Sequence, residues 1–256
     1  MYDDPTSGGG GRPGSGRGGR PGIRLTFATT ALGWAAGRWP GLDGELAGLR
    51  PVVRSGSVVL DLASTYGAYT WILSRLAGPV GSVHCFEPLP GPARRLTRSA
   101  TALGSHNVRV HRIGIGTGGR GEPLWAGRDP GAAALRIAPA PGSTQVPMAT
   151  VDDARRWLEL DRVDFIRVDA DGAEGAVLSG AFVTLLGDRP TLLLRIDPAR
   201  LAAHDVRPGD LVRRLTITLG YRMYRWSAGS WHLVPAVTDD RCFYLFRARR
   251  AESGGG

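Results

Sequence analysis

Lysine is absent from this chain, and all 32 of its basic residues are arginine. Set against 23 acidic residues, they give the 256-residue chain a formal net charge of +9. Complete replacement of lysine by arginine is typical of the codon bias of a GC-rich genome, although the positive field that it creates is real. Attraction to phosphates or anionic surfaces is therefore only weakly indicated.

Cysteine is nearly as scarce, with single residues at Cys85 and Cys242. Each lies in an apolar, strand-like run without a metal-ligand spacing, so we predict buried free thiols. No cluster of histidine and carboxylate residues has ligand spacing either, and we predict no metal site.

Long hydrophobic runs are also missing. No stretch reaches about 18 apolar residues, and the segment before residue 23 lacks the apolar core of a signal peptide. We therefore expect a cytoplasmic protein without a membrane-spanning segment. With 42% hydrophobic residues, the chain can bury one sizeable core.

Composition divides the chain into four parts. Residues 1–22 are rich in Gly, Arg and Pro and too poor in apolar side chains to become ordered, and residues 250–256 form a second flexible tail. Between the tails we predict a helical lead over 23–56, with its helix at about 42–53, and one folded domain over 57–249.

The first half of that domain alternates between two patterns. Apolar strand runs at 58–62, 83–88 and 108–115 enclose helical patterns at 69–76 and 92–103. Alternation of this kind indicates an α/β fold in which a parallel sheet carries helices on both faces.

The second half is less regular at first and then repeats the alternation. Residues 116–148 are rich in Gly and Pro with one short strand at 123–125, and Thr150, Asp152 and Asp153 are interpreted as caps of a helix over 154–160. The elements that follow are strands at 163–169 and 191–196, helices at 174–186 and 209–219, and terminal strands at 221–226, 231–234 and 242–247. Because short connections join the terminal strands, we predict that they pair antiparallel at one edge of the sheet.

Acidic residues end the first two strands. Asp61 opens a D-x-A-x-x-x-G turn that closes at Gly67, and small residues there let the backbone approach a ligand, although a tight structural turn explains the pattern equally well. Glu87 follows 26 positions later and has two acceptor oxygens within reach of a ribose diol. The nicotinamide fingerprint G-x-G-x-x-G does not occur in this turn. The pair predicts an adenosine-bearing cofactor.

A third charged segment ends the strand at 163–169. Arg167, Asp169, Asp171 and Glu174 place three carboxylates and a guanidinium in eight residues. Such a group can shift pKa values and bind a polar acceptor, or it can be a structural ion-pair cluster. The residues alone leave both interpretations open.

The ordered set of motifs resembles the FkbM-type methyltransferases. That family typically reads D-x-G-A-N-x-G, F-E-P, K-I-D-V-E-G-A-E, R-P-x-L-L-x-E and L-G-Y-R. The matching segments here are 61–67, 86–88, 167–174, 189–193 and 219–222. The resemblance implies the class I methyltransferase fold, a doubly wound, Rossmann-like, mostly parallel sheet with an antiparallel terminal strand.

The same resemblance implies S-adenosylmethionine as cofactor and a small-molecule acceptor, O-methylated on a hydroxyl of a sugar or other natural product. Glu87 would hold the ribose hydroxyls, and Asp169 and Glu174 would face the transferred methyl group and the acceptor. Asp169 is the first candidate base, with His111 and His204 as further candidates. The other residues implied at the cofactor are Asp61, Ala63, Thr65, Gly67, Pro88 and, near the adenine, Ile113 and Gly114.

Four substitutions stand out against the family pattern. Ala63 replaces a glycine, Thr65 replaces an asparagine, and Arg167 replaces a lysine and keeps its charge. Arg195 replaces a glutamate and so inverts its charge. A guanidinium at position 195 requires a carboxylate partner, and pairing with Asp169 would make that residue a poorer base. The candidate partners are Asp169, Asp171 and Asp197.

Two other functions remain as alternatives. A nucleic-acid methyltransferase is favoured by the net charge and by Arg94, Arg95 and Arg98 on one predicted helix, but no module for stacking single-stranded bases accompanies them. A non-catalytic family member that acts as a partner protein is favoured by Ala63 and Arg195. The sequence gives no indication of the oligomeric state.

Overall fold

The computed structural model describes residues 24–26, 28–30, 44–62, 64, 67–117, 124–126, 135–136, 144–238 and 242–248, with only the backbone for 124–126, 135–136 and Thr144. The two predicted tails, much of the helical lead and most of the irregular stretch before residue 144 lie outside these residues, as do Ala63 and Thr65.

An eight-stranded sheet forms the centre of the molecule. Its first strands in the chain are β1 (Val58–Leu62), β2 (Ser82–Phe86) and β3 (Val108–His111). The short strands β4 (Gly114–Ile115), β5 (Leu124–Ala126), β6 (Leu135–Arg136), β7 (Thr144–Val146) and β8 (Met148–Ala149) lie outside it. The remaining strands of the central sheet are β9 (Phe165–Val168), β10 (Thr191–Ile196), β11 (Tyr221–Ser227), β12 (Ser230–Leu233) and β13 (Cys242–Ala248).

Helices connect the strands. They are α1 (Ala68–Ala77), α2 (Pro90–Leu103), α3 (Val151–Trp157), α4 (Glu174–Ser179), α5 (Phe182–Gly187), α6 (Pro198–Ala202) and α7 (Pro208–Arg213). A 3-10 helix at Gly44–Leu49 precedes β1, and a π-helical turn at Arg214–Thr218 follows α7. In the described chain none of these helices is long and apolar enough to cross a membrane.

The strand order places a ligand-binding edge at the centre of the sheet. The order is β12-β11-β13-β10-β9-β1-β2-β3, parallel from β3 to β10 and antiparallel from β10 to β12. The chain runs outward from β1 to β3 and then returns to β9. The carboxyl ends of β1 and β9 therefore form the topological switch point, where ligands of open α/β sheets bind. This is the class I methyltransferase fold that the sequence predicts.

Side chains of the central strands alternate between two cores. Leu60, Ile166 and Leu194 point to one face, and Val59 and Phe165 point to the other. The second face is covered by α1 and the 3-10 helix. Towards the carboxyl ends of β1, β9 and β10, charged side chains take over the positions on this face, because alternation places Asp61, Arg167 and Arg195 there.

The predicted third strand is wrong in its extent. It leaves the central sheet after His111, and Gly114–Ile115 pairs with β8 instead. The amide of Gly114 donates to the carbonyl of Pro147 over 2.8 Å, and the Met148 side chain occupies the space that a Cβ at Gly114 would need.

The predicted helix over 174–186 is two helices, α4 and α5. The chain bends at Gly180, where an added Cβ would collide with the carbonyl of Gly116 and the side chain of Thr150. Likewise, the helix predicted over 209–219 becomes a π-helical turn after Arg213.

The predicted helical lead is helical at 24–26 and at 28–30. A 3-10 helix of six residues stands where a longer helix over 42–53 was predicted. Trp231 explains its position, because the indole Nε1 donates to the carbonyl of Gly48 over 2.8 Å. The ring of Trp226 lies where a Cβ at Gly48 would be.

Both cysteines are free thiols. Cys85 is buried as predicted, and burial raises the pKa of its thiol well above the usual value. Cys242 is half-buried and packs against the edge of the core, so the prediction of full burial is wrong for this residue.

Candidate functional site

Asp61 organises the turn after β1. Its side chain is fully buried, and its Oδ2 accepts hydrogen bonds from Ser64 Oγ at 2.5 Å and Thr70 Oγ1 at 2.6 Å. Its Oδ1 accepts from Arg167 Nη1 at 2.9 Å. Both oxygens of Asp61 are thus engaged by the chain, and these contacts hold the turn after β1. Sequence reasoning missed Ser64 and Thr70, because hydroxyl residues carry no signal that identifies a partner three or nine positions away.

Gly67 closes this turn and precedes α1. Its φ is 78°, in the left-handed region, and an added Cβ would lie 2.8 Å from the indole of Trp71. Its amide donates to the carbonyl of Ser64 over 3.0 Å. Both backbone strain and packing thus require glycine at this position. Ala63 and Thr65, the two substituted positions of the turn, lie outside the described residues.

Glu87 follows β2 and is only 2% exposed. Its Oε1 accepts from the amide of Leu89 at 3.0 Å, across Pro88, whereas its other oxygen accepts no hydrogen bond from any described residue. Burial raises the pKa of Glu87. A buried carboxylate with one acceptor left over is incompletely satisfied by the protein alone and is suited to a ligand hydroxyl.

Two histidines lie beside Glu87. The amide of Glu87 donates to the carbonyl of His111 at 3.0 Å, and His111 stacks on Phe86 with ring centroids 4.9 Å apart. His111 Nε2 lies 3.2 Å from Nδ1 of His84, a residue that sequence reasoning did not single out. Burial lowers the pKa of both imidazoles, that of His84 to about 4, so the pair is neutral near pH 7.

Ile113 and Gly114 were predicted near the adenine. The structure places Gly114 in β4, where Met148 fills the space next to it, and Ile113 packs partly buried against the main core. The adenine contact therefore remains a prediction.

Four charged side chains cross the switch point in alternating sign, and we call them the four-charge row: Asp61, Arg167, Asp169 and Arg195. Arg167 donates from Nη1 to Asp61 at 2.9 Å and from Nη2 to Asp169 Oδ2 at 2.8 Å. Arg195 Nε lies 3.0 Å from Asp169 Oδ1, an ion pair without the alignment of a hydrogen bond.

The outer two members of the four-charge row, Asp169 and Arg195, are less buried than the inner two. The side chains are 0% exposed at Asp61 and 6% at Arg167, but 18% at Asp169 and 14% at Arg195. Burial alone would lower the pKa of Arg167, yet Asp61 and Asp169 more than offset it and raise that pKa. The Arg167 guanidinium also lies 4.1 Å from the ring centre of Tyr69. The outer half of the row is therefore the part that solvent reaches.

Of the three predicted partners of Arg195, the structure shows an ion pair with Asp169. Asp197 instead accepts from the amides of Ala199 and Arg200 at the start of α6. Asp171 lies in a tight turn with φ 50°. Both carboxylate oxygens of Asp169 consequently face a guanidinium.

Glu174 supports the loop that follows Asp169. It is 3% exposed, its Oε1 accepts from the amide of Ala170 at 3.0 Å, and its Oε2 is buried without a partner among the described residues. Burial raises the pKa of this carboxyl group. These contacts place Glu174 against the loop, and its predicted contact with the acceptor stays a prediction. His204, the other candidate base, is exposed beside Gly172.

A comparison with family models identifies the protein family. The Methyltransferase FkbM domain matches residues 61–223, well over half of the chain. The chain belongs to this family. FkbM methyltransferases depend on S-adenosylmethionine, which is therefore the cofactor. The free oxygen of Glu87 fits the ribose of that cofactor, and the described residues contain no group of three or more side chains that could hold a metal ion.

Other comparisons give distant likenesses. No protein of curated function matches the sequence. Methyltransferase FkbM from Methylobacillus flagellatus KT is 17% identical over 87% of this chain and 59% of its own, with a TM-score of 0.47. An S-adenosylmethionine-dependent O-methyltransferase from Thermotoga maritima is 14% identical over 84% and 68%, with a TM-score of 0.45. Aeropyrum pernix fibrillarin with bound S-adenosylmethionine is 16% identical over 80% and 73%, with a TM-score of 0.47.

Proposed function

We propose that this FkbM methyltransferase O-methylates a hydroxyl group of a sugar or another small natural product. The observation that carries the proposal is Glu87, a buried carboxylate with one unused oxygen at the carboxyl end of β2, next to the switch point. That is where an open α/β sheet holds the adenosine of a cofactor.

Each side chain has a role in this proposal. Glu87 accepts from the ribose hydroxyls, Pro88 directs the chain away from it, and the turn from Asp61 to Gly67 offers the amides at the start of α1. Asp169 faces the acceptor, and Glu174 holds the loop between them. The remaining proposed cofactor residues are Ala63, Thr65, Ile113 and Gly114.

The protein contributes mainly alignment. The cofactor supplies a methyl group already activated on a sulfonium. Holding the acceptor oxygen in line with it can remove about 7 to 11 kcal/mol of the barrier, and a positioned base adds a factor of about 100 to 10,000. Asp169 is a weakened base in this role, because both of its oxygens face guanidinium groups.

That same pairing favours a second candidate function. A family member whose acid is held by Arg167 and Arg195 would bind the cofactor weakly or not at all and act as a partner protein. Replacing Arg195 by Glu would then create activity rather than leave it unchanged.

Calorimetric titration of S-adenosylmethionine and S-adenosylhomocysteine distinguishes the two. We expect binding in the micromolar range, weakened about tenfold or more in Glu87→Gln, because the ribose hydroxyls lose a charged acceptor and keep only a neutral one. Glu159→Gln is the matched control, since Glu159 is exposed at the end of α3. No binding at millimolar ligand would overturn the enzymatic function and favour the partner protein.

A further inference from the structure

Tyr69 lies in the first turn of α1, directly after the turn that Gly67 closes. Its side chain is 6% exposed, and its hydroxyl donates to Glu45 Oε1 at 2.7 Å. The centre of its ring lies 4.1 Å from the guanidinium carbon of Arg167 and 5.1 Å from the ring centre of Phe243. One side chain thus joins α1 to β9, to β13 and to the 3-10 helix before β1.

The contacts of Tyr69 belong to a closed circle around the start of α1. Arg167, which lies against the ring, donates to Asp61 Oδ1 over 2.9 Å. Thr70, the next residue after Tyr69, donates to Asp61 Oδ2 over 2.6 Å. The first turn of α1 is therefore held to β1 directly through Thr70 and indirectly through Tyr69 and Arg167. Because the first amides of a helix have no acceptor within it, the position of this turn decides where they meet a ligand.

Glu45 lies on the 3-10 helix before β1, outside the residues that match the family. Its side chain is buried, and burial of a carboxylate is unfavourable unless its hydrogen bonds are satisfied. Apolar side chains at positions 45 and 69 would fill the same core without that penalty. What the pair adds to packing is direction, because the hydrogen bond fixes where the ring of Tyr69 lies.

We infer that Glu45 and Tyr69 are positioning residues of the cofactor site, and that the segment before β1 thereby contributes to the affinity for S-adenosylmethionine. This inference rests on the proposed function, in which the turn from Asp61 to Gly67 presents the amides at the start of α1. Neither side chain needs to touch the cofactor. Glu45 holds the Tyr69 ring against the Arg167 guanidinium. That guanidinium in turn holds Asp61 at the base of the turn.

Calorimetric titration of S-adenosylhomocysteine measures the effect on the cofactor site. Tyr69→Phe keeps the ring and removes only the hydroxyl, and we expect it to raise Kd about two- to thirtyfold, the range for coupling through packed side chains. Glu45→Gln keeps a neutral acceptor for that hydroxyl and should lose less affinity than Glu45→Ala. An unchanged Kd in Tyr69→Phe, or equal losses in the two Glu45 variants, would overturn the inference.

A double-variant cycle separates this hydrogen bond from the other contacts of the two residues. If the pair acts as a unit, Tyr69→Phe combined with Glu45→Ala should weaken binding no more than Glu45→Ala alone. Purely additive losses of binding free energy would contradict the inference.

Two controls distinguish positioning from a general loss of stability. Tyr244→Phe removes another buried hydroxyl, one that accepts from the amide of Thr238 at 2.8 Å in the other core, and should leave Kd unchanged. Asp152→Ala should lower the free energy of unfolding without changing Kd. A rise in Kd in these controls equal to that in Tyr69→Phe would overturn the inference alone. Absence of binding by the wild-type protein would overturn the enzymatic function together with it.

Discussion

His84 couples protonation to folding. Burial lowers the pKa of its imidazole from 6.5 to about 4, so the unfolded chain binds the proton more readily than the folded chain. The contribution to stability is complete above pH 6.5 and is lost as the pH falls towards 4, by about 3 kcal/mol in the free energy of unfolding. Urea unfolding at pH 7, 5.5 and 4 measures it. His84→Gln should flatten this dependence and His232→Gln, an exposed residue, should not.

Glu174 changes the stability with pH in the opposite direction to His84. Because burial raises the pKa of its carboxyl group, the folded chain binds the proton more readily, and stability falls as the pH rises through the window above 4.5. Glu174→Gln keeps an acceptor for the amide of Ala170 and removes the buried charge, so we expect unchanged or higher stability at pH 7.

Glu174→Ala removes the acceptor and should cost about 1 to 3 kcal/mol. Denaturation of both variants at pH 7 gives the comparison. Equal destabilisation by Gln and Ala would contradict a role in holding the loop.

At the scale of elements, one aspartate joins two helices. Asp152 in α3 accepts from the amides of Val183 at 3.0 Å and Thr184 at 2.9 Å and from Thr184 Oγ1 at 2.6 Å, all at the start of α5. Asp152→Ala leaves these donors unsatisfied and should lower the free energy of unfolding by about 1 to 3 kcal/mol. Asp161→Ala, a change at an exposed residue shortly before β9, should cost less than about 0.5 kcal/mol, the usual effect of a surface substitution.

Elements with strong local signals were predictable. The strands β1, β2, β9 and β10 are buried apolar runs, and Thr150 with Asp153 forms the capping box that the residue types indicate. Asp152 was also predicted to be a cap, but it caps a different helix, which only the tertiary structure decides. The break at Gly180 was missed for the same reason, since it depends on the close approach of Gly116.

The sequence predicted where the acids of the candidate site lie, but not which side chains they pair with. Strand ends identified Asp61, Glu87 and Asp169, because parallel strands bring their carboxyl ends to one edge. The partners of these acids could not be read from the sequence. The sequence left three possible carboxylate partners for Arg195. The register of β9 with β10 brings Asp169 next to it, and the two form an ion pair.

At the scale of the whole molecule, Arg167 joins the two halves of the sheet. It lies on β9 and bonds to Asp61 on β1, two residues 106 positions apart that meet at the switch point. Arg167→Met leaves Asp61 buried without its cation and should cost about 3 to 5 kcal/mol of unfolding free energy.

The double variant Asp61→Asn with Arg167→Met removes both charges and should recover part of that loss. Chemical denaturation of the wild type, both single variants and the double variant gives the coupling energy. Purely additive effects would show that the pair does not hold β1 to β9.

The contact between Gly48 and Trp231 joins residues 183 positions apart. Such a contact encloses nearly the whole domain in one loop, and the entropy of closing it must be overcome before the indole gains its partner. We therefore expect the 3-10 helix to dock late in folding. The indoles of Trp226 and Trp231 lie with ring centroids 5.3 Å apart, and their fluorescence should change when the helix docks. The change in tryptophan fluorescence during refolding would give the time at which the contact between Gly48 and Trp231 forms.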